Sequence, residues 1–318
     1  MESEFYTFSF QFKYDSVVSE DIRNKIAICH SDVIAINFIR SSPPYVFRRH
    51  YRQGLRSHVM EILYPTDVVT ENTGTLINGV RQFPRAVPST ILRIFRTQFE
   101  TFGEAWAEIE RVKIVSEYLA PEFMAHSYEC IVEYHGPHGS ELMLCGFQEY
   151  IKGDIIDPWT ILDAESLLPV IYKTMRDRGV IMPLSSDEWV ADARKKGSQL
   201  IGRLKRMITH SGHIPDLAGV GNLIIKPNGV ICLVDINNIS PVNNDPTIPL
   251  DEKGYPVCDK SVEALSLIEE KIVGRPINME ERLYKQFLNS ERQNLVQEQV
   301  ELFSEKFLGK YAGDIQFL

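Results

Sequence analysis

The chain has 318 residues, 44% hydrophobic and 24% charged, with a formal net charge of −9. That length supports one large or two medium domains around a sizeable core, and the acidic balance argues against bulk nucleic-acid binding, which needs a basic footprint. No apolar run approaches the roughly 20 residues of a membrane span, and the start, MESEFYTFSFQF, lacks the basic end and continuous apolar core of a signal peptide. A cytoplasmic protein with no membrane association is expected.

The first predicted element is a strand with an aromatic face, because Tyr6, Phe8, Phe10, Phe12 and Tyr14 recur with a period of two. A mixed, Arg-rich stretch follows to about Pro65, so residues 1–66 read as an N-terminal extension. Within it, FRRHYRQGLR (Phe47 to Arg56) holds four arginines and a histidine. It reads as a solvated, partly helical surface, with a phosphate-contacting or partner-binding patch as the other reading.

Residues 67–152 read as short strands around a single helix. Gly74 and Asn78-Gly79 give turn signals, and TILRIFR (Thr90 to Arg96) is β-rich. Glu104 to Leu119 is helical, with apolar residues at 105, 109, 112, 115 and 119 and Pro121 just beyond its end. Tyr128 to Tyr134 and Leu142 to Ile151 are spaced as a hairpin about the turn GPHG.

Beyond about Gly153, residues 153–318 turn helical. Leu162 to Arg178 is one helix, with Gly179 as C-cap. Ser185-Ser186-Asp187-Glu188 is a capped start for a second, running to about His210. Strands Asn222 to Ile225 and Val230 to Asp235 flank Lys226-Pro227-Asn228-Gly229, a hairpin signal. Helices at about Ser261 to Val273 and Met279 to Leu308 finish the chain. A strand-rich half before a helix-rich half is an α+β pattern.

The five cysteines form no CxxC pair, so neither a zinc site nor a disulfide framework is expected. Cys145 and Cys232 sit in apolar runs and read as core residues. His210, His213 and Asp216 can be drawn as a metal cluster, but a histidine at a helix end that caps carbonyls is the commoner arrangement.

The stretch DLAGVGNLIIKPNGVICLVDINN, Asp216 to Asn238, carries the chemistry. Asp235 closes an apolar strand where Asp and Asn are poor strand formers. Folding the hairpin brings Asn222 and Asp235 to one end of the ladder, with Asp216 a few residues upstream in a Gly-rich loop. Two converging oxygen ligands, completed by waters and phosphates, suit Mg²⁺. Turn formation by Asp, Asn and Gly at both hairpin ends explains the same residues without a ligand.

These motifs resemble the protein-kinase-like superfamily, especially its small-molecule phosphotransferase branch. The resemblance spans about Gly74 to Asn238 and implies a bilobal fold, with a strand-rich nucleotide-binding N-lobe and a helix-rich C-lobe. It implies ATP and Mg²⁺ as ligands, Asp216 as the catalytic residue, and Asn222 and Asp235, thirteen residues apart, as metal ligands. By the same resemblance Arg93 or Arg96 grips phosphate, Glu108 or Glu110 pairs with it, and the hinge at Glu149, Tyr150 and Ile151 holds adenine through its backbone. The sequence departs from the family pattern in five places. Asp216 and Asn222 are six apart, where the family's catalytic loop spaces them by five. Ile214-Pro215 replaces the usual His-x before Asp, DIN stands where DFG is common, and the strand offers no phosphate-gripping lysine. TGT and NG make turns without a GxGxxG.

A weaker resemblance is to the ATP-grasp superfamily, which implies Asp235 and Asn237 as the Mg²⁺ pair and an adenine hinge in QEYIKGDIID. That family places strands between hinge and metal motif, whereas two helices are predicted here. Three functions follow as expectations: an ATP-dependent phosphotransferase on a small-molecule or protein acceptor, a nucleotide-binding pseudokinase acting as a regulatory or scaffolding module, and an ATP-grasp ligase. The C-terminal helices read as packing elements of the helical half, or as a surface for a protein partner.

Overall fold

The structure, a computed structural model, describes residues 20–39, 44–54, 56–243, 245 and 247–311. The predicted aromatic strand Tyr6 to Tyr14 lies outside these residues. The fold is mixed α/β, 40% helix and 22% strand, and every named pair of strands is antiparallel.

In chain order, helix α1 (His30–Ile34) leads to strands β1 (Val46–Arg49) and β2 (Ser57–Leu63). Helix α2 (Pro65–Thr73) and a small hairpin, β3 (Thr75–Ile77) with β4 (Val80–Gln82), precede β5 (Thr90–Phe95). Helix α3 (Phe102–Leu119) then leads to β6 (Ser127–Gly136) and β7 (Gly139–Glu149). The large sheet has the order β1-β2-β5-β7-β6.

The period of two sets its faces. Leu92 and Ile94 of β5 pack with Met60, Ile62, Met143 and Cys145 against Ile22, Ile28 and Val33 from the start of the described chain. On the opposite face, Phe95 packs with Leu144 and Ile109 of α3, and Arg93 shares that face. The N-terminal residue at Asn78-Gly79 has φ 50° and Gly79 φ 79°, the conformation of a type I′ hairpin turn.

Strands β1 and β2 fall within the stretch that read as an extension with a helical, Arg-rich surface. They were illegible because β2, SHVMEIL, is buried along nearly its whole length and shows no alternation. Its Glu61 is buried and accepts from Arg48 at 2.7 Å and pairs with His50 at 2.8 Å, so a charge stands inside a core strand.

The second half begins with β8 (Asp154–Ile156), α4 (Leu167–Asp177) and α5 (Ser186–Ser211), followed by β9 (His213–Pro215), β10 (Leu223–Ile225), β11 (Ile231–Leu233) and β12 (Ile239–Pro241). Helix α6 (Val257–Ile268) runs into a π-helical turn, Glu269–Val273, and α7 (Arg282–Phe287) and α8 (Ser290–Tyr311) follow. Helix α5 starts at the Ser185–Glu188 capping box and stops at Gly212 in the left-handed conformation, the signals its sequence carries. Its buried face runs from Trp189 through Leu200, Leu204 and Met207. The Trp189 indole N–H donates to the Pro227 carbonyl at 2.7 Å, pinning the β10–β11 turn to the helix.

Helix α4 begins later than predicted because Asp163 accepts from the Ser166 N–H and turns the preceding segment. The predicted last helix divides at Asn289, whose side chain accepts the Arg292 N–H at 2.9 Å and starts α8. The β9–β12 pair was not foreseen, since three residues on each side are too short to show a period. Among the described residues no helix is long and apolar enough to cross a membrane.

Candidate functional site

The β9–β12 ladder positions Asp216. Ile239 pairs with Pro215, and the Asp216 N–H then donates to the Asn238 carbonyl at 2.8 Å. One carboxylate oxygen of Asp216 accepts from the N–H groups of Ala218 at 2.9 Å and Gly219 at 3.2 Å, and the other from the Asn238 amide at 3.3 Å. The Asn222 side chain donates to the Asp216 backbone carbonyl at 2.9 Å, and the Asn222 backbone carbonyl accepts the Val234 N–H at 2.8 Å. Asp235 follows at once. The hairpin end therefore gathers Asp216, Asn222 and Asp235, as the sequence indicated. Burial, and the Asp235 carboxylate after it, push Asp216 up to about 6 against its hydrogen bonds.

Both carboxylates also shape their own turns, Asp216 through Ala218 and Gly219 and Asp235 through the Asn237 N–H at 3.2 Å. Turn formation and ligand binding are compatible at Asp235, because its turn uses one carboxylate oxygen and leaves the other.

Arg93 reaches this end from the large sheet. It is 3% exposed and bonds Glu129 at 2.6 Å and the Asn237 side-chain oxygen. Arg56, from the β1–β2 turn, donates to the Asn237 carbonyl at 2.7 Å and meets Glu108 at 3.2 Å. The Nε groups of both arginines are buried and have no hydrogen-bond partner among the described residues.

Several expected pairings are corrected by this geometry. Glu108 does not meet Arg93, because Arg56 and Arg111 hold its carboxylate. Glu110 pairs with Lys113 on the exposed side of α3. Arg96 points to the other face of β5, donating to the Ile26 carbonyl at 3.1 Å and approaching His58. Asn237 lies in the cluster, but its side-chain oxygen is taken by Arg93, which makes it a staple between hairpin and sheet.

Glu149, Tyr150 and Ile151 connect β7 to β8. Glu149 still pairs with Thr90, and its N–H donates to the His126 carbonyl at 2.8 Å. Among the described residues no carbonyl accepts the N–H of Tyr150 or Ile151. Ile151 is buried, and Tyr150 lies within electrostatic reach of Arg52.

Nothing in the sequence gives Arg52, Arg56, Glu129 or Asn238 an individual place at this site. The arginines stood in the basic patch, but their direction depends on the unforeseen β1–β2 turn. Glu129 was one more polar residue in an alternating strand.

Two oxygen donors fit a Mg²⁺ ion. Asp235 has a carboxylate oxygen with no donor, and the Asn222 side-chain oxygen likewise has none among the described residues. Mg²⁺ accepts so few protein ligands when waters and phosphates supply the rest. Among the described residues no group of three or more His, Cys, Asp or Glu is arranged for a metal. His213 instead meets the Ser211 carbonyl at 2.7 Å, and His210 packs on the Tyr118 ring. All five cysteines are free, with Cys145 and Cys232 buried.

A cavity of about 490 Å³ opens beside Arg56, lined by Arg111, Asn238, Ser240, Asp251 and Lys253 among others. In comparison with known proteins, no family model and no curated protein matches the chain.

Proposed function

We propose that the chain binds ATP with Mg²⁺ at the hairpin end and acts as a kinase-like phosphotransferase, with residues 67–152 as nucleotide-binding lobe and 153–318 as helical lobe. The observation that carries this reading is the meeting of Asp216, Asn222 and Asp235 beneath Arg93 of the large sheet. Element order supports it: a five-stranded antiparallel sheet with one long helix, a connector at Tyr150–Ile151, two helices, then a loop and hairpin bearing the acids. Helices α4 and α5 between connector and hairpin favour the kinase-like over the ATP-grasp reading.

In this reading the free N–H groups of Tyr150 and Ile151 meet the base. Asp235 and Asn222 hold the ion, which neutralises charge on the phosphates when bound. Asp216, buried and with its carboxyl raised, accepts or aligns the acceptor's hydroxyl proton. The cavity beside Asn238, which holds Asp216, is the space we assign to the acceptor, a small molecule or a protein segment. No acceptor class follows from its mixed lining of cations and carboxylates.

A second reading, a nucleotide-binding pseudokinase, draws on one specific feature. The η-nitrogens of Arg93 are both engaged by protein groups, Glu129 and Asn237, so no phosphate-gripping lysine or free substitute stands on β5. Thermal shift with Mg-ATP, together with ATP turnover, separates the two for wild type, Asp216→Ala and Asp235→Ala. Transfer requires turnover that Asp216→Ala abolishes while binding persists. Binding without turnover in any variant selects the pseudokinase, and absence of binding sinks both.

A further inference from the structure

We propose that Arg52 is a phosphate-binding residue, a side chain that takes the polyphosphate of a nucleotide over the loop Asp216 to Asn222. This inference rests on the nucleotide reading above. Arg52 stands at the tip of the β1–β2 turn, and its guanidinium donates to the Gly221 carbonyl at 3.3 Å. Gly221 has φ +96°, and a Cβ there would collide with the guanidinium, so the loop backbone and the side chain are fitted to each other. The guanidinium also lies over the Tyr51 ring, 4.9 Å from its centre.

The balance of charge singles out this arginine. Arg93 is committed to Glu129 and Asn237, and Arg56 to Glu108, Glu252 and Asn237. Arg85, also beside Tyr51, has Glu61. Among the described residues the Arg52 guanidinium has no carboxylate within salt-bridge distance, and its one hydrogen bond is the long one to the Gly221 carbonyl. A polyphosphate entering beside Asp216 and Asp235 adds negative charge to a place that already holds two carboxylates. A guanidinium with an uncommitted charge, one residue from Asn222, relieves that repulsion and can present two parallel N–H groups to a phosphate. On binding, it exchanges the Gly221 carbonyl for phosphate oxygen, a charged acceptor for a neutral one. The β1–β2 turn, HYRQG, has one glycine and thus provides a side chain where a glycine-rich turn provides backbone N–H groups.

The test measures ligand-induced thermal shift and affinity of the full chain with Mg-ATP, adenosine and inorganic tripolyphosphate. The variants are Arg52→Gln and Arg52→Lys, with Arg49→Gln as a control of equal charge change on the exposed end of β1. Affinity for ATP should fall about tenfold or more in Arg52→Gln, the loss of a charge-assisted bond. Adenosine affinity should stay at the wild-type value, and Arg52→Lys should recover part of the loss. A purely structural latch would lower the ligand-free melting temperature and weaken adenosine and ATP alike. ATP affinity in Arg52→Gln within about twofold of wild type overturns the proposal. If wild type binds neither ATP nor adenosine, the nucleotide reading falls, and tripolyphosphate then decides. Binding that Arg52→Gln loses upholds the phosphate site by itself, and no binding overturns it.

Discussion

Arg93 and Glu129 form their ion pair across Gly146, the residue opposite both of them on the strand that runs between theirs. A Cβ at Gly146 would lie 3.0 Å from the nearer guanidinium nitrogen, so the arginine lies over the intervening strand because that position carries no side chain. The pair thereby spans three strands on the face that meets the hairpin, and Asn237 is fastened to its Arg93 end.

Removing one partner of so buried a pair strands the other's charge. Glu129→Ala should therefore cost about 3–5 kcal/mol in urea unfolding, whereas Arg93→Met with Glu129→Leu should recover most of that loss. Gly146→Val should be nearly as harmful as Glu129→Ala, because its side chain occupies the guanidinium's place. A Glu129→Ala protein as stable as wild type would show that water reaches the pair.

Asp216→Asn should stabilise the fold at neutral pH. The carboxyl is raised from 3.8 to about 6 by burial and by Asp235. A raised folded-state value gives stability that is complete below the unfolded value and is lost as pH climbs through about 6. The difference of about two pH units corresponds to roughly 3 kcal/mol at pH 8. Asparagine keeps an oxygen for Ala218 and Gly219 without the charge. Urea unfolding of wild type and Asp216→Asn should thus coincide near pH 4, separate as pH rises to about 6, and stay apart by a constant margin above it. Parallel curves would place the carboxylate in a wetter setting.

His58 should act in the opposite sense. It is buried, faces the Ile22 carbonyl at 2.9 Å and Arg96 at 3.2 Å, and is lowered from 6.5 to about 4 by burial and then by Arg96. A lowered value gives stability that is present above 6.5 and lost as pH falls through about 4, with up to about 3 kcal/mol at stake. His58→Gln, which can still donate to Ile22, should flatten the decline between pH 6.5 and 4 relative to wild type. Since Asp216 gains stability over part of that range, each variant is compared with wild type at every pH.

The sequence made the hairpin end legible because its signals are local. Asp216, Asn222 and Asp235 lie within twenty residues, and the turn Pro227-Asn228-Gly229 states the register that brings two of them together. The long helix α5 was equally legible from its capping box and terminal glycine. The partners that come from elsewhere were not. Arg56 meets Glu108 from 52 residues away and Asn237 from 181 away, and neither meeting leaves a periodic trace. Strand β2 is buried on both faces and shows no alternation, so the sequence does not mark it as a strand, and the turn that aims Arg52 and Arg56 goes unmarked with it.

Metal titration tests the proposed Mg²⁺ site and which of Asn222 and Asn237 would partner Asp235 in it. Among the described residues no donor meets the Asn222 side-chain oxygen, while the Asn237 side-chain oxygen accepts from Arg93. With ATP present, Asn222→Ala should raise the Mg²⁺ concentration needed for half-maximal thermal shift by about tenfold, consistent with the loss of one oxygen ligand. Asp235→Ala should abolish the Mg²⁺-dependent part of the shift, and chelation with EDTA should do the same to wild type. Asn237→Ala should leave the Mg²⁺ midpoint in place and lower the ligand-free melting temperature, because it cuts the staple between hairpin and sheet. Were Asn237→Ala to move the midpoint while Asn222→Ala did not, Asp235 and Asn237 would be the ligand pair and the assignment of Asn222 would be withdrawn.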